Sequence, residues 1–457
     1  MLSFLPILPI AQVTPIPPQE VVQIQQVRPL PGGLDSVPVF NSNSPELVQT
    51  EGILLSTFPP TGKKVSAAHL NFPFRGRFDI FAHHVAKAPS PENLRLLYLG
   101  IILHNPTSQP VRVDILQAAS YLSQPDAPFN ELPPVTENLL GTVFAGPGDR
   151  VMNDVLRGQR QPSFPPQIVI PPRQSQMLLN LPIPVATLEP PLNGRSTLMR
   201  LRSNGAVYAA SLAMYAPVNA DGSERSPTLA QWQQLLDTGN FAGPRDKTPT
   251  PPEQITGIIY GRVAGVAQGS QWQAQVFDNA DTQSLSIPQQ GEAFSYGLST
   301  LSLGRLGTNQ VQTAPLLVRY PDTAYRAWGN YGIQYSLSLP LSNNTGQSQI
   351  VTLSLQTPIK EDQLSKQGLR FFEPPASQVF FRGTVRLGYN DDRGLPQTRY
   401  VHLVQTRGQQ GEPLVVLNMK QGDRRLVQVD FLYPPDSTPP QVLTVKTLAS
   451  PTLDQDL

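Results

Sequence analysis

The chain has 457 residues, 34 of them basic and 33 acidic, with 50 prolines, 33 glycines and no cysteine. The even charge balance gives no global pull toward nucleic acid or anionic membrane. Without cysteine there is no disulfide scaffold, thiolate nucleophile or cysteine-based zinc or iron–sulfur site. The length suggests two or three domains, since one core stops growing at roughly 250–300 residues. Abundant proline disfavours long helices, because it lacks the backbone N–H and clashes with the preceding turn. Charged residues are only 15%, below the usual ~25%, which suits an exported surface.

Met1–Ile10 is apolar and is followed by Ala11-Gln12. It resembles the apolar part and cleavage site of a signal peptide over 1–11, without the usual basic start. Export to the periplasm, cell surface or medium is therefore expected. No stretch reaches the ~18 apolar residues of a membrane helix. Residues 12–33 are Pro- and Gln-rich and read as an extended tether, broken by Gly32-Gly33.

The fold class expected is mostly β. Two antiparallel β-sandwich-like domains, 34–220 and 257–450, carry long Pro-rich loops and one or two short helices. In the first, Leu96–Leu103 is apolar on both faces, like a central strand. A turn at His104–Ser108 follows, then Val111, Val113 and Ile115 alternate with polar residues. Asp149 is the expected cap of a helix at Arg150–Arg157, with Gly158 just past its end. Between the domains, 221–256 reads as a short helix and linker. Ser226-Pro227 supplies the cap and first position, and Thr228–Leu236 the helix. In the second domain, Ile333, Tyr335, Leu337, Leu339 and Leu341 alternate with Gln334, Ser336 and Ser338. That period of two puts one strand face in a core. A turn at Ser342–Ser348 and a second alternating run, Val351–Leu355, follow. The plan repeats that of Leu94–Leu116, which suggests an internal duplication. Phe381–Tyr389 with Arg399–Gln405, and Leu414–Met419 with Leu426–Tyr433, read as further hairpins.

Few segments carry chemistry. Arg75–His84 holds two of the five histidines. On a strand, Asp79 and His83 share a face and His84 takes the other, so a metal would need His69, His104 or His402 as well. Arg77, Asp79, His83 and His84 are the candidate ligand contacts, expected to border a groove, with a structural role as the plain alternative. Tyr325 and Trp328 are the candidate aromatic surface, within the cluster Tyr320–Tyr335. Such faces stack on sugar rings or proline-rich peptides, or plug a core. Gly146–Asp149 before a helix lacks the third glycine of a dinucleotide fingerprint. Asp278–Asp281 lacks the glycine and distal glutamate of a calcium loop. Gly297–Leu301 fails the last position of a nucleophile elbow. No resident metal or cofactor and no catalytic residue is assigned.

Several phrases together resemble one family: PVFNSNSPE (Pro38–Glu46), EGILLSTFPP (Glu51–Pro60), HLNFPFRGRFDIFAHH (His69–His84), ASYLSQPDAPF (Ala119–Phe129), LNGRSTLMRL (Leu192–Leu201) and GNYGIQYSLSLPL (Gly329–Leu341). They are similar to the cyanobacterial domain-of-unknown-function family 3370. The resemblance implies a cyanobacterial source and export, and it supplies no activity. The expected function is that of an exported, non-enzymatic structural or binding protein of the cell envelope or extracellular matrix. The alternative is a carbohydrate-binding protein or carbohydrate-active enzyme. An envelope polysaccharide or another envelope protein is the expected partner, and nucleic acid is not.

Overall fold

The computed structural model describes residues 17–254 and 256–449. They form a mostly β structure of several mixed sheets, with two α-helices among the described residues. No helix there is long and apolar enough to cross a membrane.

The spine of the larger sheet is the long strand Leu192–Tyr215. Its first part pairs with Phe74–Lys87 on one side and Val111–Leu122 on the other. Its last part pairs with Leu97–His104 and Gly52–Ser56. The register shifts between Ser203 and Val207, around Asn204-Gly205, and there the strand passes from one set of neighbours to the other. Ser175–Ile183 pairs with Leu97–His104, and Gln167–Ile170 with Val111–Leu122.

The period-two stretch is a strand as expected. In Gln334–Ser342 the residues Tyr335, Leu337, Leu339 and Leu341 are buried, and the residues between them are half-buried. Directly opposite Tyr335 stand Trp272 on one neighbouring strand and Phe431 on the other. The three rings stack, with centroids 6.2 and 5.4 Å apart.

The structure corrects three expected hairpins. Leu97–His104 and Val111–Leu122 do not pair with each other, nor do Gln334–Ser342 and Gln349–Gln356. Val415–Met419 and Arg424–Leu432 also separate, each to a different partner. These turns are corners. The second and third carry the chain from one sheet to another, and the first carries it between two parts of the larger sheet, from the last part of the spine strand to the first. The cause lies in two buried asparagines. Asn105 Nδ2 donates to the carbonyls of Gln109 (2.7 Å), Ile170 (3.0 Å) and Pro171 (3.1 Å). Its Oδ1 accepts from the Thr107 N–H and hydroxyl. Asn343 Nδ2 donates to Gln347 (2.9 Å), Met419 (2.9 Å) and Lys420 (3.1 Å), and its Oδ1 accepts from the Thr345 N–H and hydroxyl. Each amide ties its own turn, through Gln109 O or Gln347 O, to the end of a strand distant in sequence. Both corners read Asn-x-Thr-x-Gln, Asn105–Gln109 and Asn343–Gln347.

The likeness extends beyond the corners. One sheet runs Gln26–Arg28, Ala293–Leu298, Gln441–Thr447, Gln349–Gln356, Val415–Met419. Part of the larger sheet runs Pro38–Ser42, Phe74–Lys87, Leu192–Tyr215, Val111–Leu122, Gln167–Ile170. Order and direction agree throughout, with the first pair parallel and the other three antiparallel. The two matching segments thus sit within a strand order that both halves share.

The two halves are interlocked. Gln19–Ile24 pairs with Gly368–Glu373, Gln26–Arg28 with Ala293–Leu298, and Gly33–Leu34 with Gln271–Gln275. From Gln19 onward, the segment expected as a tether is therefore strand. Its glutamines and valines supply ladder groups and half-buried faces to the second half, so its composition misled. In return, Ala264–Gln268 pairs with Pro38–Ser42 and carries Ala314–Arg319 on its far side, so one sheet crosses the expected domain boundary. Tyr320 follows and is buried in the first half's core.

Both helices sit close to their expected places. Leu229–Thr238 is capped by Thr228, not Ser226: Gln231 N donates to Thr228 Oγ1, and Gln231 Oε1 accepts from Thr228 N, a reciprocal capping box. Its Trp232 is fully buried against Gly100, where a Cβ would come within 2.7 Å of the indole. Pro147–Leu156 starts after Gly146, which has φ +83°. Asp149, expected as the cap, instead accepts from Ala145 N (2.7 Å) and faces His402 Nε2 at 2.6 Å. Both members of that pair are fully buried, and it ties this helix to a strand of the second half.

Candidate functional site

Where the halves meet, a cavity of about 560 Å³ opens to the surface. The first half supplies Asn41, Asn43 and Glu46 from the end of strand Pro38–Ser42, and His83 from Phe74–Lys87. The linker supplies Asp246 and Lys247, and the second half adds Tyr260, Arg262, Trp328, Tyr331, Lys360 and Ser437.

Polar residues on one wall form a chain of contacts. His83 Nδ1 and Ser196 Oγ lie 2.7 Å apart, and His83 Nε2 stands 3.6 Å from Glu46 Oε1. Glu46 is paired with Arg262, whose other arm reaches Asp246 at 3.4 Å. Asp246 also accepts from Ser44 Oγ (2.7 Å) and Glu46 N (3.3 Å). Burial alone would raise the Glu46 carboxyl, but His83 and Arg262 outweigh it and hold it below the usual carboxylate range. A general acid needs the opposite shift. Glu46 and Asp246 thus share one guanidinium and do not form a glycosidase pair of divided roles.

The opposite wall is aromatic. Tyr260 and Trp328 meet at 4.9 Å, tilted by 54°, and Lys360 Nζ stands 5.1 Å from the Tyr260 ring centre. Tyr331 donates to Ser437 O at 3.2 Å. Gly329 allows this packing, since a Cβ there would meet the Tyr331 ring at 2.2 Å. Several lining residues keep a buried polar atom without a hydrogen-bond partner among the described residues, Asn41 Oδ1, Asn43 Oδ1, Trp328 Nε1 and Ser437 Oγ among them. Leaving such groups unpaired costs about 1–3 kcal/mol each, and they lie behind the lining rather than on its open surface.

Among the residues singled out in the sequence, His83 and Trp328 line this cavity together. The others do not. His84 faces the other side of its strand, between Ser42 Oγ (2.9 Å) and Pro45 O (2.8 Å). Burial lowers its pKa to about 4, so it stays neutral and braces the turn that carries Asn43 and Glu46. Arg77 is paired with Asp79 and also donates to Phe78 O (2.8 Å) and Leu201 O (3.2 Å). Burial pushes the Asp79 carboxyl up against the pull of Arg77 and Arg200. Arg200 in turn donates to Gln334 Oε1 at 2.8 Å, so this charged group joins the two halves. Tyr325 lies beneath the guanidinium of Arg319, 3.8 Å from its ring centre.

The remaining histidines have separate partners: His69 with Ser56, His104 with Ser175 and His402 with Asp149. None joins His83, and no group of three or more potential metal ligands occurs among the described residues. Sequence reasoning missed Asn41, Asn43, Glu46, Asp246, Tyr260, Arg262, Lys360 and Ser437. They come from loops far apart in the chain, and only Pro38–Glu46 had drawn notice.

A family model described as a protein of unknown function (DUF3370) matches residues 25–447. A search of the curated proteins finds no match.

Proposed function

Since the chain belongs to the DUF3370 family of proteins of unknown function, its activity has to be read from the site itself, and we propose that it is a non-enzymatic binding protein. The ligand is a saccharide held in the cavity between the halves, part of a polysaccharide of the cell envelope or extracellular matrix. The observation that carries this reading is the Tyr260–Trp328 ring pair lining one cavity with the polar residues Asn41, Asn43, Glu46 and Ser437. A sugar ring offers an apolar face for the rings and hydroxyls for those groups. The sharing of Arg262 by Glu46 and Asp246 supports binding over hydrolysis.

Of the three tryptophans, Trp232 and Trp272 are buried in cores, so Trp328 makes the fluorescence of the protein a reporter of this site. Titration with envelope oligosaccharides should change that emission. Trp328→Ala should weaken binding at least about tenfold, a loss of about 1.4 kcal/mol. Its melting temperature should stay near that of the parent chain. Equal affinity in the variant would remove Trp328 from the site.

Export is the second element of the proposal. It rests on Met1–Ala11, which lies outside the described residues. Mass spectrometry of the protein from its native host should find a mature N-terminus near Gln12 or Val13. Recovery of the intact chain solely from cytosol would overturn it.

A further inference from the structure

The charges around the cavity do not cancel. Arg262 is taken up by Glu46 and Asp246. Two lysines also line the cavity, Lys247 at the exposed rim and Lys360 farther in. Neither has a carboxylate partner within 4.0 Å among the described residues, whereas Lys63 and Lys366 each have one. Lys360 is not a loose surface side chain. Its stem lies across Gly304, where a Cβ would come within 2.7 Å of the Lys360 Cε. The amine is thereby held beside the Tyr260 ring, which in turn meets Trp328. Burial lowers its pKa to about 8, so it remains mostly protonated at neutral pH. The nearby Asp362 carboxylate offsets only part of this, being itself paired with Arg305, and an anionic ligand would relieve the remaining cost of the part-buried ammonium.

We propose that the cavity selects an acidic saccharide, a uronate unit whose carboxylate meets Lys360 while its ring stacks on Tyr260 and Trp328. The inference rests on the saccharide reading above and adds the charge of the ligand. Lys247 at the rim adds a second positive charge near the mouth.

The test compares uronate oligosaccharides, such as galacturonate and glucuronate oligomers, with their methyl esters, which keep the sugar and remove the charge. Calorimetric titration of the full chain should show the free acids binding at least tenfold more tightly. Raising the salt from 50 to 500 mM should narrow that gap, because salt screens the charge pair. Lys360→Met keeps the stem and removes the amine, so it should abolish the preference for acid over ester. Lys446→Met, at an exposed strand position away from the cavity, should retain it. If acid and ester bind equally to the parent chain, the acidic assignment falls and the saccharide reading survives. If Lys360→Met keeps the full preference, Lys360 is not the reader of charge and the proposal fails. If neither form binds while a proline-rich peptide does, both readings are overturned.

Discussion

Replacing Tyr320 with Ala should lower the stability of the whole protein by about 5 kcal/mol. Tyr320 comes from the second half of the chain but lies in the core of the first. Its ring is fully buried and meets Phe241 edge-on at 4.9 Å. Truncating a buried aromatic costs about 3–5 kcal/mol. The hydroxyl adds to this, since it donates to Ala68 O (2.6 Å) and accepts from Ser56 N (2.9 Å). An unpartnered buried backbone group costs about 1–3 kcal/mol more. Tyr320→Phe removes only the hydroxyl and should cost about 1–3 kcal/mol. Urea unfolding of both variants separates the two contributions. A loss below about 1 kcal/mol in the Ala variant would mean that the first half does not depend on this inserted side chain.

Asn105→Ala and Asn343→Ala should each cost about 3 kcal/mol or more, and by similar amounts. Each amide serves three carbonyls and receives a backbone N–H and a threonine hydroxyl. A buried hydrogen bond contributes about 1 kcal/mol net, and stranded partners cost more. Both residues are fully buried, so water does not replace the lost amide. The measurement is the urea midpoint at unchanged slope. A large loss at one corner and almost none at the other would show that the matching geometry is not matched in energy.

These corners also show how far the sequence could be read. Period-two runs such as Ile333–Leu341 and Val351–Leu355 identify strands, because alternation reports which side chains enter a core. They do not report which strand is the neighbour. The Asn-x-Thr-x-Gln turns resembled hairpin loops, yet Asn105 and Asn343 bond to Ile170, Pro171, Met419 and Lys420, which are distant in sequence. The site was legible only in part. Doubled histidines drew attention to Phe74–Lys87, and strand alternation separated His83 from His84. The same reading grouped Arg77 and Asp79 with them, although these two pair with each other and with Leu201 O and Arg200, away from the cavity. Trp328 stood out as an aromatic. Lys360 and Arg262 had no local signal, because their roles depend on loops that meet only after the halves interlock.

That interlock bears on the order in which the chain can fold. The segment beginning at Gln19 finds its ladder partners only at Ala293–Leu298 and Gly368–Glu373. On a ribosome, these first strands emerge early and wait for most of the polypeptide to be made. Pairings between such distant residues are slow to form, because loop closure precedes any gain from contact. The final sheet also needs Gln441–Thr447, near the end of the described chain. The architecture therefore stays open until strands from both halves have been made.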